Sequence, residues 1–124
     1  MENQHYKVYI NDEDIIETKY YEDLDVETIT KVIEFYNEFS RKLTSENKQV
    51  RILVDYSAGG GNSSTEARKI AVEGINKLSF YKLAIFGGST YLRILTNLVI
   101  KAIGRGQKIK YFKSRKEAVM WLKL

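Results

Sequence analysis

The sequence predicts a single α/β domain built on a mixed, mostly parallel five-stranded sheet, and three observations predict it. First, after residue 25 short apolar runs alternate with stretches of helical period, the pattern of strand–helix repeats. Second, Ile52–Leu53–Val54–Asp55 and Leu83–Ala84–Ile85–Phe86 each meet glycines and hydroxyl residues just before a helical pattern. A buried parallel strand hands over to a helix N-terminus in this way, and ligands collect at such junctions. Third, the chain opens with two β-branched and aromatic runs separated by four polar residues, which reads as an antiparallel hairpin.

The hairpin strands are Tyr6–Ile10 and Ile15–Tyr20, joined by the turn residues Asn11–Asp12–Glu13–Asp14. From Asp25, a good N-cap, residues Val26, Ile29, Val32, Ile33, Tyr36, Phe39 and Leu43 recur at helical spacing. Val50–Asp55 is the third strand. Beyond Gly59–Gly60–Gly61, Ser63–Ser64–Thr65–Glu66 has the form of a capping box. Ala67, Ile70, Ala71, Gly74, Ile75 and Leu78 then give the second helix a narrow face for close packing. Lys82–Phe86 is a strand, Ser89 caps a helix running to about Ile103, and Gly104–Arg105–Gly106 stops it. Lys108–Phe112 is the last strand, and Ser114–Arg115–Lys116–Glu117 is a second capping box opening the final helix. The order is therefore ββαβαβαβα, with parallel C-terminal strands, right-handed crossovers and about four flanking helices. No linker or repeat divides residues 1–124, which read as one domain.

Composition narrows the chemistry. There is no cysteine, so a disulfide, a thiolate metal site and a cysteine nucleophile are all ruled out. The single histidine, His5, belongs to no recognisable triad, and no metal-ligand spacing occurs. The expectation is a chain without metal, cofactor or catalytic residues. Its start, Met1–Glu2–Asn3–Gln4–His5, lacks the layout of a signal peptide. The run from Tyr91 to Ile103 is interrupted by Arg93, Thr96, Asn97 and Lys101, too short and polar to span a bilayer. A cytoplasmic location is expected.

Charge is unevenly spread. Residues 1–49 carry 12 acids against 6 bases, whereas residues 87–124 carry only Glu117 against 9 bases. The molecule is electrically dipolar if these ends stay apart in the fold.

With these elements in place, the chain resembles the SpoIIAA-like group of the STAS (STAS/SEC14-like) domains, the fold of anti-sigma factor antagonists. The residues carrying the resemblance are Ile52 to Arg68, the run Ala84–Ser89 with Leu92–Arg93, and the ending Tyr111–Phe112–Lys113–Ser114–Arg115–Lys116–Glu117–Ala118–Val119–Met120–Trp121–Leu122. The resemblance implies a non-enzymatic regulatory or protein-interaction domain. In the antagonists, a serine in an Asp-Ser-Ser-Gly-like loop is phosphorylated by a partner kinase. The matching stretch here is Asn62–Ser63–Ser64–Thr65, with asparagine for the aspartate and threonine for the glycine, so Ser63 and Ser64 are the candidate phosphorylation sites.

The two glycine loops supply a candidate recognition rim. Adjacent parallel strands bring Gly59, Gly60, Gly61 and Asn62 to the same sheet edge as Gly87, Gly88, Ser89 and Thr90. Free amides at two helix starts, with Ser57 among the added hydroxyls, can then hold an anion. No Walker lysine follows, so tight turns and N-caps account for the loops better than a nucleotide site does. Asp55 caps a turn or orients a hydroxyl.

The helix after Ser89 is unusually apolar. Tyr91, Leu92, Ile94, Leu95, Leu98, Val99, Ala102 and Ile103 cover about half its circumference, and Ile100 lies beyond that arc. The surplus predicts either cover by the neighbouring helix or a second buried contact, with Tyr91, Leu92, Leu95, Val99, Ile100 and Ile103 as the candidate interface. The expected occupant is a protein partner or a second copy, with a homodimer favoured, and a small anionic or lipid ligand is the alternative. The basic residues Lys101, Arg105, Lys108, Lys110, Lys113, Arg115 and Lys116 read as a solvated face and an edge-strand guard. That reading is preferred to a nucleic-acid footprint, and peripheral membrane contact is not predicted.

Overall fold

In the computed structural model, the described residues are 1–104 and 108–124, without the side chains of Tyr91 and Leu95. Strands β1 (Tyr6–Ile10) and β2 (Ile15–Tyr20) form the expected hairpin, with Tyr6 opposite Tyr20 and Ile10 opposite Ile16. Its turn is held by Asn11, whose side-chain oxygen accepts the N–H groups of Glu13 at 2.8 Å and Ile15 at 3.1 Å. A 20-residue helix, α1 (Val26–Ser45), follows, and Asp25 caps it by accepting the Thr28 N–H at 2.7 Å.

Three strand–helix units complete the chain: β3 (Arg51–Asp55) with α2 (Thr65–Lys77), β4 (Lys82–Phe86) with α3 (Thr90–Ile103), and β5 (Ile109–Phe112) with α4 (Arg115–Leu122). The strands lie in the order β1-β2-β3-β4-β5, antiparallel only between β1 and β2. The central strands β3 and β4 are buried from their second residue onward, which is why they read as unbroken apolar runs. Gly104 ends α3 in a left-handed conformation, φ 75°; Arg105 and Gly106 of the expected stop lie outside the described residues.

The two faces of the sheet are unequal. Ile16, Tyr20, Ile52, Val54, Leu83, Ile85 and Ile109 build the larger core with residues of α1, α2 and α3. On the other face, among the described residues, α4 packs Ala118 and Leu122 over Ile15, Leu53, Ala84 and Phe86. The last carbonyls of α4 need donors, and basic side chains from the strand starts supply them. Arg51 Nε donates to Leu122 O at 2.7 Å, and Lys82 Nζ donates to Trp121 O at 2.9 Å.

The sheet order also separates the charges. The acid-rich hairpin and α1 lie toward the β1 edge, and the basic β5 forms the opposite edge. The β1 edge is covered by the chain's own start, since Val8 N–H donates to Met1 O and Asn3 N–H to Tyr6 O. Among the described residues, no helix is long and apolar enough to cross a membrane.

Candidate functional site

The C-terminal ends of β3 and β4 are tied together. Tyr56 N–H donates to Phe86 O at 2.9 Å, and the Tyr111 hydroxyl donates to Gly87 O. Gly87 has φ 89°, and a Cβ there would lie 2.7 Å from the Ser57 nitrogen, so only glycine lets the strand ends approach this closely. Asp55 is 8% exposed, and its Oδ1 accepts the Ser57 N–H at 2.7 Å. It caps the turn that leaves β3.

The first glycine loop is hydrogen-bonded to the segment after β2. Gly60 N–H donates to Glu22 O, and Leu24 N–H donates to Asn62 O, both at 2.9 Å. A bridge between Leu24 and Ser63 continues this pairing. Hydrogen bonds to the segment after β2 thus commit the Gly60 amide, which is not free for the anion cradle expected at this rim. Under the loop, the Tyr56 ring stacks on Tyr20 with centroids 5.5 Å apart.

The start of α2 also differs from expectation. Ser64 is the N-cap and accepts the Ala67 N–H at 3.0 Å, so the box pairing Ser63 with Glu66 does not form. Ser63 instead faces Arg68, whose Nη1 donates to Ser63 O at 2.6 Å and to Ser63 Oγ at 3.1 Å. Arg68 Nη2 donates to Thr65 Oγ1 at 3.2 Å. The other caps are as expected, with Ser89 accepting Leu92 N–H and Ser114 accepting Glu117 N–H.

The orientation of α3 corrects part of the candidate interface. Leu92 and Ile100 are only 4% and 8% exposed and face the core with Thr96 between them. Val99 and Ile103 are half-buried. The side chains of Tyr91 and Leu95 lie outside the described residues. Large apolar exposure falls instead on Ile94 at 55% and Leu98 at 59%. An apolar arc wider than the sheet needs can dock at several rotations. Here the Leu92–Thr96–Ile100 row faces inward, which leaves Ile94 and Leu98 outside.

Two concave features flank this helix. Between α2 and α3 lies a cavity of ≈ 90 Å³. Its apolar wall includes Tyr56, Ile85, Leu92 and Val99, the small residues Gly60, Ala67 and Ala71 give it room, and Ser63, Arg68 and Thr96 are its polar lining. On the other side of α3, an open groove along β5 is lined by Arg93, Ile94, Lys101, Lys110, Tyr111 and Trp121. Lys113 borders the adjoining depression with Arg93 and Lys110. Among the described residues, no group of three or more acidic or histidine side chains is arranged to hold a metal ion.

A family profile for SpoIIAA-like proteins matches residues 15–123. The chain belongs to the SpoIIAA-like family. A solved structure agrees: the crystal structure of an uncharacterised protein of the DUF3478 family with a SpoIIAA-like fold, from Shewanella loihica PV-4. It superposes with a TM-score of 0.68 at 16% sequence identity, over 98% of this chain and 97% of that one. No curated protein matches the sequence. In this SpoIIAA-like chain the serine loop follows β3 and Gly87–Gly88 follow β4. Sequence reading passed over Arg68 and Thr96. Arg68 carried a signal, since a residue four after an N-cap serine reaches back over its own first turn; Thr96 looked like a mere interruption of an apolar run.

Proposed function

We propose that this SpoIIAA-like domain is a non-enzymatic regulatory module that docks an acidic protein partner on the groove between α3 and β5. The observation that supports it is the exposed pair Ile94 and Leu98, bordered by the cations Arg93, Lys101 and Lys110. An apolar pair inside a basic rim complements a partner surface with apolar residues ringed by carboxylates. A second copy meeting this face symmetrically would set these same cations against one another. Charge therefore favours a heterologous partner over the homodimer suggested by the surplus apolar surface.

A photo-reactive residue at position 98, in the chain expressed in its own cell, is expected to crosslink one acidic protein. The purified pair is expected to weaken at least tenfold for Leu98→Asp, and again on raising salt from about 0.05 to 0.5 M. Equal capture from Asn37, exposed on α1, or a complex indifferent to salt and to Lys101→Glu, overturns the proposal. Light scattering is expected to give a monomer, and a dimer that Leu98→Asp dissociates overturns it in favour of a second copy.

A serine switch is the second reading, and the Arg68 fork on Ser63 favours it. A phosphate on Ser63 would gain a guanidinium and the first turn of α2, whereas Ser64 is engaged as the cap. Mass spectrometry of protein from its native cell is expected to find phosphate on Ser63 rather than Ser64. Phosphate on neither serine across growth conditions defeats this reading.

A further inference from the structure

The cavity between α2 and α3 is separate from the docking groove and has a chemistry of its own. Its wall is chiefly aliphatic and aromatic, yet a half-buried arginine lies in its lining. The guanidinium of Arg68 sits against Ser63, itself a lining residue, which places the positive charge at that end of the cavity. Its hydrogen-bond acceptors are three neutral oxygens, and among the described residues no carboxylate pairs with it. A half-buried cation held only by neutral groups is incompletely compensated, and an anion entering the site would complete it.

The geometry points to a binding site for a small hydrophobic carboxylate: an aliphatic tail in the cavity and a carboxylate on Arg68. A volume of ≈ 90 Å³ is several times what a single water needs, enough for a short aliphatic segment. The small side chains Ala67 and Ala71 on α2 make that space, facing Leu92 and Val99 of α3. Thr96, buried between Leu92 and Ile100, adds a polar point to an otherwise apolar wall. A planar carboxylate matches the arginine fork, and a neutral isostere of the same length forfeits that charge-assisted contact.

The test is titration of the unphosphorylated chain of residues 1–124 with octanoate, followed by backbone amide NMR and calorimetry. Saturable binding to one site is expected, with shifts concentrated at Ala67, Ala71, Leu92 and Thr96. Arg68→Gln is expected to weaken octanoate roughly tenfold or more while leaving 1-octanol unaffected. Ala71→Leu, which fills the cavity, is expected to abolish binding of both while the thermal midpoint is kept or raised. The site is overturned by no saturable shift at millimolar octanoate, by equal octanoate affinity in Arg68→Gln, or by shifts confined to Ile94 and Leu98. Acetate or inorganic phosphate binding as tightly as octanoate also overturns it, because the tail would then contribute nothing. Leu98→Asp is expected to leave octanoate binding intact, so failure here and failure of partner docking are told apart.

Discussion

Replacing Gly60 by alanine is expected to destabilise the domain by roughly 2–5 kcal/mol, while the same change at Gly61 stays within about 0.5 kcal/mol. The two glycines are neighbours in one loop and differ in what a Cβ would meet. Gly60 has φ 86°, where an L-residue pays for a left-handed backbone, and its Cβ would lie 2.6 Å from Tyr56 Cδ1 and 2.8 Å from Cε1. That ring is stacked on Tyr20, and the new methyl group would also come 3.2 Å from Tyr20 Cβ, so retreat is blocked. Nothing lies within 4 Å of a Cβ at Gly61, and its φ is not in the left-handed range. Urea denaturation followed by circular dichroism checks the pair. A Gly60→Ala midpoint equal to that of Gly61→Ala would show that the loop does not rest on the tyrosine stack. The result bears on function too, since Gly60 also lines the cavity between α2 and α3.

Most of the fold was legible in the sequence because the strands announce themselves by different means. β3 and β4 are covered on both faces and become apolar runs, whereas the hairpin strands alternate because only one of their faces meets the large core. The caps were legible as residue types, and Asp25, Ser89 and Ser114 all act as such. At α2 two serines stand side by side, and the pattern did not reveal which one caps. Pairing of Leu24 with the Asn62–Ser63 stretch sets how the chain enters the helix, a contact between segments nearly forty residues apart. The rotation of α3 was likewise illegible. Its apolar arc is wide enough to satisfy the sheet in more than one way, so burial of Ile100 and exposure of Ile94 had to come from tertiary packing. The same holds for the direction of the glycine loop, which backbone hydrogen bonds to Glu22 and Leu24 decide.

The charge pattern gains meaning from the topology. An acidic first half and a basic last third had no defined separation in the sequence, and the order β1-β2-β3-β4-β5 sets them at opposite edges of one sheet. A partner approaching the β5 edge therefore meets positive potential before it meets Ile94 and Leu98, which favours fast, salt-sensitive association. The face of the sheet that α4 covers carries its own small core, so the docking groove lies between two separately packed helices. Substitutions at Lys101 in the groove and at exposed Leu98 beside it should then alter association with little effect on stability.

Tyr36→Phe is expected to cost about 1–2 kcal/mol at neutral pH, and that deficit is expected to shrink above pH 10. The Tyr36 hydroxyl lies 2.6 Å from Thr18 Oγ1 in the core, between α1 and β2, with the Tyr20 side chain nearby. Removing it strands buried polar groups, which explains the loss at pH 7. Burial holds Tyr36 and Tyr20 protonated well beyond the ordinary tyrosine range and pushes Tyr56 up to about 12. In the unfolded chain all three release their protons from about pH 10. Above that pH the unfolded state binds fewer protons than the native state, so native stability falls as pH rises, by about 1.4 kcal/mol per pH unit for each such group. The variant has one of these groups fewer and falls less steeply, so its stability approaches that of the parent near pH 11–12. Urea midpoints of both proteins between pH 7 and pH 11.5 provide the check, with Thr18→Val/Tyr36→Phe expected to recover part of the neutral-pH loss. A deficit that stays constant or widens across that range would mean that Tyr36 does not remain protonated in the native core.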